Sequence, residues 1–141
     1  YEIPDHVTYQ DAALVEPLAC VIRGIDETGV RSGDTVAVIG VGPIGLMFVR
    51  LLALRGCRVI AIGRRRPQLD RAEALGAQVT LSIQDEKSIV GAVRHHTNGY
   101  GADVVIEAVG KPETWQQSIE MVRRGGVVNF FGGCPADTKV S

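Results

Sequence analysis

The chain has 141 residues, with 15 Lys and Arg against 16 Asp and Glu, for a formal net charge of −1. That length is one domain, large enough to bury a core without staples; 45% hydrophobic and 22% charged residues exclude wholesale disorder. Near-neutrality removes a global pull toward nucleic acid or an anionic membrane, and no aromatic-plus-basic pattern points to nucleic acid.

In chain order, residues 9–25 read as helical, with a break at Glu16-Pro17, where the ring disfavours helix in the residue before it. Thr35–Ile39 is an uncharged β-branched run, the pattern of a strand buried on both faces. Residues 43–55 read as a helix, 58–62 as a strand, and 67–75 as a helix opened by Pro67 and closed by Gly76. A weaker strand at 78–82 and a helix at 85–97 follow. Then come a strand at 103–108, a helix at 112–122 and a last strand at 126–131. Strands alternating with helices across short connections predict right-handed βαβ units: an α/β fold with a doubly wound parallel sheet of Rossmann type, strand order 3-2-1-4-5 and helices on both faces. Five strands are visible where such a fold usually has six, so the sixth is expected to be missing. The 43–55 helix is apolar in every sector except at Arg50 and Arg55. It needs burial all round, against either a further partner or its own neighbours. The apolar last strand invites pairing with another chain as an open edge.

Cys20, Cys57 and Cys134 are odd in number and form no C-x-x-C. That argues against a disulfide framework or a self-contained cysteine zinc knuckle and for reduced thiols in a cytoplasmic protein. The longest apolar stretch, 44–54, is too short and too interrupted to span a bilayer, and no signal segment is read at the start. Tyr1 is not Met and Thr138 to Ser141 carry no closing signal, so both ends are expected to be cut from something longer.

Gly40-Val41-Gly42-Pro43-Ile44-Gly45 is a G-x-G-x-x-G between a predicted strand and a predicted helix, the context that makes the pattern a dinucleotide fingerprint. Gly40 serves the tight turn, Gly42 lets the backbone approach a pyrophosphate, and Gly45 lets helix and strand pack closely. The helix N-terminus then faces the anion. About 20 residues on, NAD sites carry an acid that binds the ribose hydroxyl; here the position is Gly63, followed by Arg64-Arg65-Arg66. Cations at a helix N-terminus oppose the dipole, unless a phosphate lies there. Loss of the acid and gain of Arg64, with Arg65 and Arg66 able to share its role, favour NADP over NAD; a solvated basic turn is the alternative reading.

The run Ala13-Leu14-Val15-Glu16-Pro17-Leu18-Ala19, the stretch 33–45, Glu73-Ala74-Leu75-Gly76-Ala77 and the stretch 99–107 together resemble the zinc-dependent medium-chain dehydrogenases of the alcohol dehydrogenase superfamily, most of all the sorbitol and threonine dehydrogenase branch. The resemblance covers nearly all of the chain but only the cofactor half of such an enzyme. It implies that 1–141 is the nucleotide-binding domain, with 1–25 the helical connection from an absent N-terminal catalytic domain that brings most of the zinc ligands. It implies hydride transfer between a secondary alcohol or ketone and a nicotinamide dinucleotide, in a homo-oligomer. Glu16 matches a position that supplies a metal ligand in relatives; read without the resemblance, it points to water. Cys20 is one turn further, near the nicotinamide, or else a small buried hydrophobe. The resemblance further implies that Ile44 presses on the back of the nicotinamide ring. It implies that Ala108, Val109 and Gly110, with Phe131 and Gly132, at the ends of the fourth and fifth strands, hold the carboxamide, Phe131 having core packing as its alternative. No catalytic residue is assigned within the chain; His6, His95 and His96 are expected away from the chemistry. The competing readings are a dinucleotide-sensing module without redox activity and a zinc-free quinone-reductase-like oxidoreductase, which Glu16-Pro17 disfavours.

Overall fold

The computed structural model describes residues 2–137 and Lys139. Of the end residues discussed above, Tyr1, Thr138, Val140 and Ser141 lie outside the described residues. Five strands, β1 (Thr35–Ile39), β2 (Arg58–Gly63), β3 (Val79–Ser82), β4 (Ala102–Glu107) and β5 (Val122–Phe130), form one sheet in the order β3-β2-β1-β4-β5. Every pairing is parallel. Successive side chains of a strand point to opposite faces, so β1 feeds two cores. Val36 and Val38 join one cluster, while Ala37 and Ile39 join the other.

The first cluster is roofed by α2 (Val15–Thr28), α3 (Pro43–Leu54) and α4 (Arg66–Ala74), and the second by α5 (Ile89–His96) and α6 (Pro112–Met121). A short α1 (Tyr9–Ala12) precedes them. Helices on both faces of a parallel sheet make the doubly wound arrangement that the alternation predicted.

Four local expectations need correction. The helical break falls at Ala13-Leu14, not at Glu16-Pro17. Pro17 is the third residue of α2, where its missing N–H would have had no intrahelical partner anyway. The same helix continues past residue 25 to Thr28 and stops at Gly29, which is left-handed at φ 64°. Helix α5 starts only at Ile89, because the Ser88 side chain accepts the Gly91 N–H and caps it there. Strand β5 begins at Val122, before the predicted 126. Val122 pairs with Ala102, and the register then slips across the Gly125-Gly126 bulge until Val127 meets Val104.

The apolar α3 is covered by α2 on one side, where Val21 and Ile25 join Phe48 and Leu52 in the core, all fully buried; elsewhere Leu46, Met47 and Leu51 are only partly buried and Leu54 is exposed. Strand β5 does lie at an open edge, with Val127 and Phe130 partly exposed.

At the strand ends away from the glycine turn, one carboxylate ties three strands. Asp103 Oδ2 accepts the Thr35 N–H at 2.7 Å, and Oδ1 accepts the Arg123 Nε–H at 2.6 Å. Burial pushes its pKa up, but the Thr35 N–H and the Arg123 guanidinium together hold it below the usual value. A carboxylate with a lowered folded pKa stabilises the fold above its unfolded pKa of about 3.9, and that stabilisation is lost as pH falls through the folded value. Asp103→Ala is expected to cost about 1–3 kcal/mol at pH 7. Urea denaturation at pH 7 and pH 3 measures both the loss and its shrinkage in acid.

Candidate functional site

The turn from β1 into α3 is built from three glycines under different constraints. Gly40 is left-handed, at φ 96°, and a Cβ there would lie 2.7 Å from Val109 Cγ2. A Cβ on Gly45 would overlap the carbonyl oxygen of Gly40, while one on Gly42 would meet nothing within 4 Å. Gly42 is the N-cap of α3 and offers no side-chain cap. The first N–H groups of α3 thus lack an intrahelical partner and face outward with the positive end of the helix dipole. Pro43, at the first helical position, has no N–H to leave unpaired.

The carboxyl ends of β1 to β4 open onto a cleft of about 960 Å³. Gly40 and Gly42 lie at its base, Gly63, Arg64 and Arg65 on one side, and Ala108 and Val109 on the other. Arg66 does not line it; its Nε pairs with Asp70 at 2.8 Å along the exposed side of α4. Gly63 is buried, and a Cβ there would run into Val41 Cγ2 and lie 3.2 Å from Leu69 Cδ2. The place where an acidic side chain would begin is thus filled by the Val41 methyl. Lys87, Lys111 and Thr114 also line the cleft and were not singled out from sequence. Their only sequence signal is a polar stretch ahead of a helix beyond a strand end. Open space at Gly42, an uncapped helix N-terminus and two arginines among the lining residues fit a phosphate-bearing dinucleotide on that side of the cleft, while Glu86, Glu113 and Glu120 line its rest.

Across the crevice, the ends of β4 and β5 meet. Glu107, the last residue of β4, is fully buried, and no spacing in the sequence sets it apart. Its Oε1 accepts the N–H groups of Val109 and Gly110, both at 2.9 Å, and the Thr114 hydroxyl at 2.7 Å. Gly110 and Gly132 stand back to back, so close that a Cβ on Gly132 would overlap the Gly110 nitrogen. Phe131 packs edge-on against Phe48, centroids 4.9 Å apart, and Ile44 is half-buried against the same core. Neither Phe131 nor Gly110 lines the main cleft.

Phe131 lies instead along a groove between α2 and β5 that also contains Glu16 and Cys20. Both are exposed, so Cys20 is not a buried hydrophobe and the Glu16 carboxylate meets water. Cys20 Sγ–H donates to Glu16 Oε1 at 3.1 Å, and that bond holds the thiol above its ordinary pKa. No three His, Cys, Asp or Glu side chains gather into a metal site among the described residues. Zinc needs three protein ligands, so these residues do not by themselves hold it. His95 is exposed, and His96 is half-buried with its carbonyl accepting from Arg58. No helix among the described residues is long and apolar enough to cross a membrane.

Known proteins resemble this chain in sequence and in fold. A sorbitol dehydrogenase of Bacillus subtilis is 34% identical over 131 residues, covering 92% of this chain but 37% of that protein. An erythritol/L-threitol dehydrogenase of Mycolicibacterium smegmatis is 34% identical over 143 residues, covering 99% and 39%. The chain thus spans under two-fifths of these relatives. A zinc-binding dehydrogenase structure from Sinorhizobium meliloti, solved with NADP bound, superposes with a TM-score of 0.92 at 37% identity, over 100% of this chain and 42% of that one. An alcohol dehydrogenase of Thermus sp. superposes at 0.89 and 36% identity, over 97% and 40%. The family model of zinc-binding dehydrogenases matches residues 43–141, from the helix opened by the glycine turn through the ends of β4 and β5, and the chain belongs to that family.

Proposed function

We propose that residues 1–141 are the nucleotide-binding domain of a dehydrogenase acting on a polyol or other secondary alcohol, with NADP preferred to NAD and residues 1–25 connecting to a catalytic domain. The observation that carries the cofactor preference is the cleft wall, where Gly63 has no side chain and Arg64 and Arg65 line the space beside it. A guanidinium fork suits a phosphate, and a charge-assisted contact contributes about 1.5–3 kcal/mol. The bound nicotinamide supplies the hydride chemistry.

In this reading the turn at Gly40, Gly42 and Gly45 receives the pyrophosphate, and Arg64 with Arg65 the ribose phosphate. Ile44 and Phe131 back the nicotinamide ring, and the β4 end at Ala108 and Val109, braced by Gly110 and Gly132 behind it, lies against its carboxamide. Glu16 contributes one ligand to a metal whose other ligands come from outside the chain. A homo-oligomer and a cytoplasmic setting belong to the same proposal, an odd number of cysteines without C-x-x-C suiting the cytoplasm.

Titration of the full-length protein with NADP and NAD tests the preference: NADP is expected to bind roughly tenfold tighter or better. The purified 141-residue chain alone is expected to turn over no alcohol, because Glu16 and Cys20 cannot complete a metal site. Steady alcohol-dependent reduction of either dinucleotide by that chain would overturn the assignment.

A further inference from the structure

We propose that Glu107, although it does not line the cleft, is a positioning residue that sets the shape of the nicotinamide half of the cleft. The inference rests on the dinucleotide reading above. Glu107 ends β4, is 0% exposed, and takes part in none of the ion pairs found among the described residues. Burying a carboxylate is costly unless it is well hydrogen-bonded, and a packed apolar side chain often serves stability as well or better. Here the compensation comes from one place. Val109 N–H, Gly110 N–H and the Thr114 hydroxyl all donate to Oε1, and the Gly110 N–H also reaches Oε2 at 3.2 Å.

The same residue holds the neighbouring strand end. The Glu107 carbonyl accepts the Gly132 N–H at 2.8 Å, and Trp115 Nε1–H donates to the Gly132 carbonyl at 3.2 Å. A Cβ on Gly132 would lie 2.6 Å from Oε2, so the β5 end closes directly over the carboxylate. The other side of the β4 end touches the glycine turn, where Val109 Cγ2 stands against Gly40. The carboxylate thus fixes the loop after β4, which packs against the glycine turn through Val109 and against the end of β5, itself held by the Glu107 main-chain carbonyl. In a doubly wound sheet the dinucleotide lies across the crevice where strand order reverses. With the ribose-phosphate wall at the end of β2, the β4 and β5 ends take the nicotinamide half.

The test uses full-length protein with two probes: NADP, and adenosine 2′,5′-bisphosphate, which lacks the nicotinamide half. Glu107→Gln keeps the side chain's size and an acceptor oxygen for the place of Oε1, but it removes the charge that strengthens those three bonds and sets an NH2 group against the Gly110 N–H in place of Oε2. It is expected to weaken NADP by about tenfold or more while changing the bisphosphate by less than about twofold. Thr114→Val, which leaves the carboxylate its backbone donors but also removes the acceptor of the Lys111 N–H at the start of α6, is expected to weaken NADP by a few-fold with the same selectivity and keeps the test open if the Gln variant fails to fold; Thr114→Ser, which keeps the hydroxyl, is expected to bind as wild type does. Equal losses for both probes would make Glu107 a general structural residue, and unchanged affinity for both would leave it without a positioning role; either result overturns the proposal. Failure of the wild-type protein to bind any dinucleotide would instead overturn the functional reading beneath it.

Discussion

Full-length protein carrying Gly63→Asp and Arg64→Ala is expected to shift its NAD-to-NADP affinity ratio toward NAD by roughly one to two powers of ten. The aspartate accepts the ribose hydroxyls that NAD presents, and the alanine removes the fork that suits the phosphate. The structure adds a condition. A side chain at position 63 starts where the Val41 methyl already sits, with Leu69 Cδ2 3.2 Å away. Val41 is 5% exposed and belongs to the core, so it can yield only by repacking. The pair of substitutions alone should therefore melt earlier than wild type and deliver the lower end of that shift, about tenfold. Adding Val41→Ala opens the space and should restore most of the NAD affinity. Dinucleotide titration and thermal melts of wild type, double and triple variants read both effects. If wild type binds NAD as tightly as NADP, Arg64 and Arg65 form only a solvated turn.

The central strands were legible because burial on both faces leaves an uninterrupted β-branched run, as in Thr35–Ile39, whose predicted and observed limits coincide. Ends governed by one hydrogen bond or one backbone irregularity were not. The Ser88 cap moves the start of α5, and the Gly125-Gly126 bulge lets polar Arg123 and Arg124 belong to β5. The glycine turn was readable because consecutive residues carry its whole geometry. What stayed hidden is what separate strand ends do to one another: Val41 filling the space above Gly63, and Glu107 gathering donors from the loop and helix that follow it. Neither leaves a spacing in the sequence, since each depends on which strand end lands beside which.

Two alanine substitutions in the same turn are expected to fail in different ways. At Gly45 the added methyl overlaps the Gly40 carbonyl oxygen, which is backbone and cannot rotate away. Helix α3 must then back off the end of β1, disturbing Phe48, Val49 and Leu52 in the core it anchors. Overpacking of this kind costs about 1–3 kcal/mol and at times more. That is roughly 2–12 °C or more in melting temperature for a domain of this size, and dinucleotide affinity falls with it. At Gly42 the backbone is at φ −71° and ψ −174°, open to any residue, and the methyl meets no protein atom within 4 Å. Stability should change little. The methyl instead stands at the base of the cleft, where the pyrophosphate backbone must approach, so binding is expected to weaken by about tenfold or more through lost contact with the helix N–H groups. Thermal melts without ligand and titrations with NADP separate the two. A Gly42→Ala protein that binds the dinucleotide as wild type does would show that no phosphate approaches the turn there, and the cleft would have to take its ligand in another orientation.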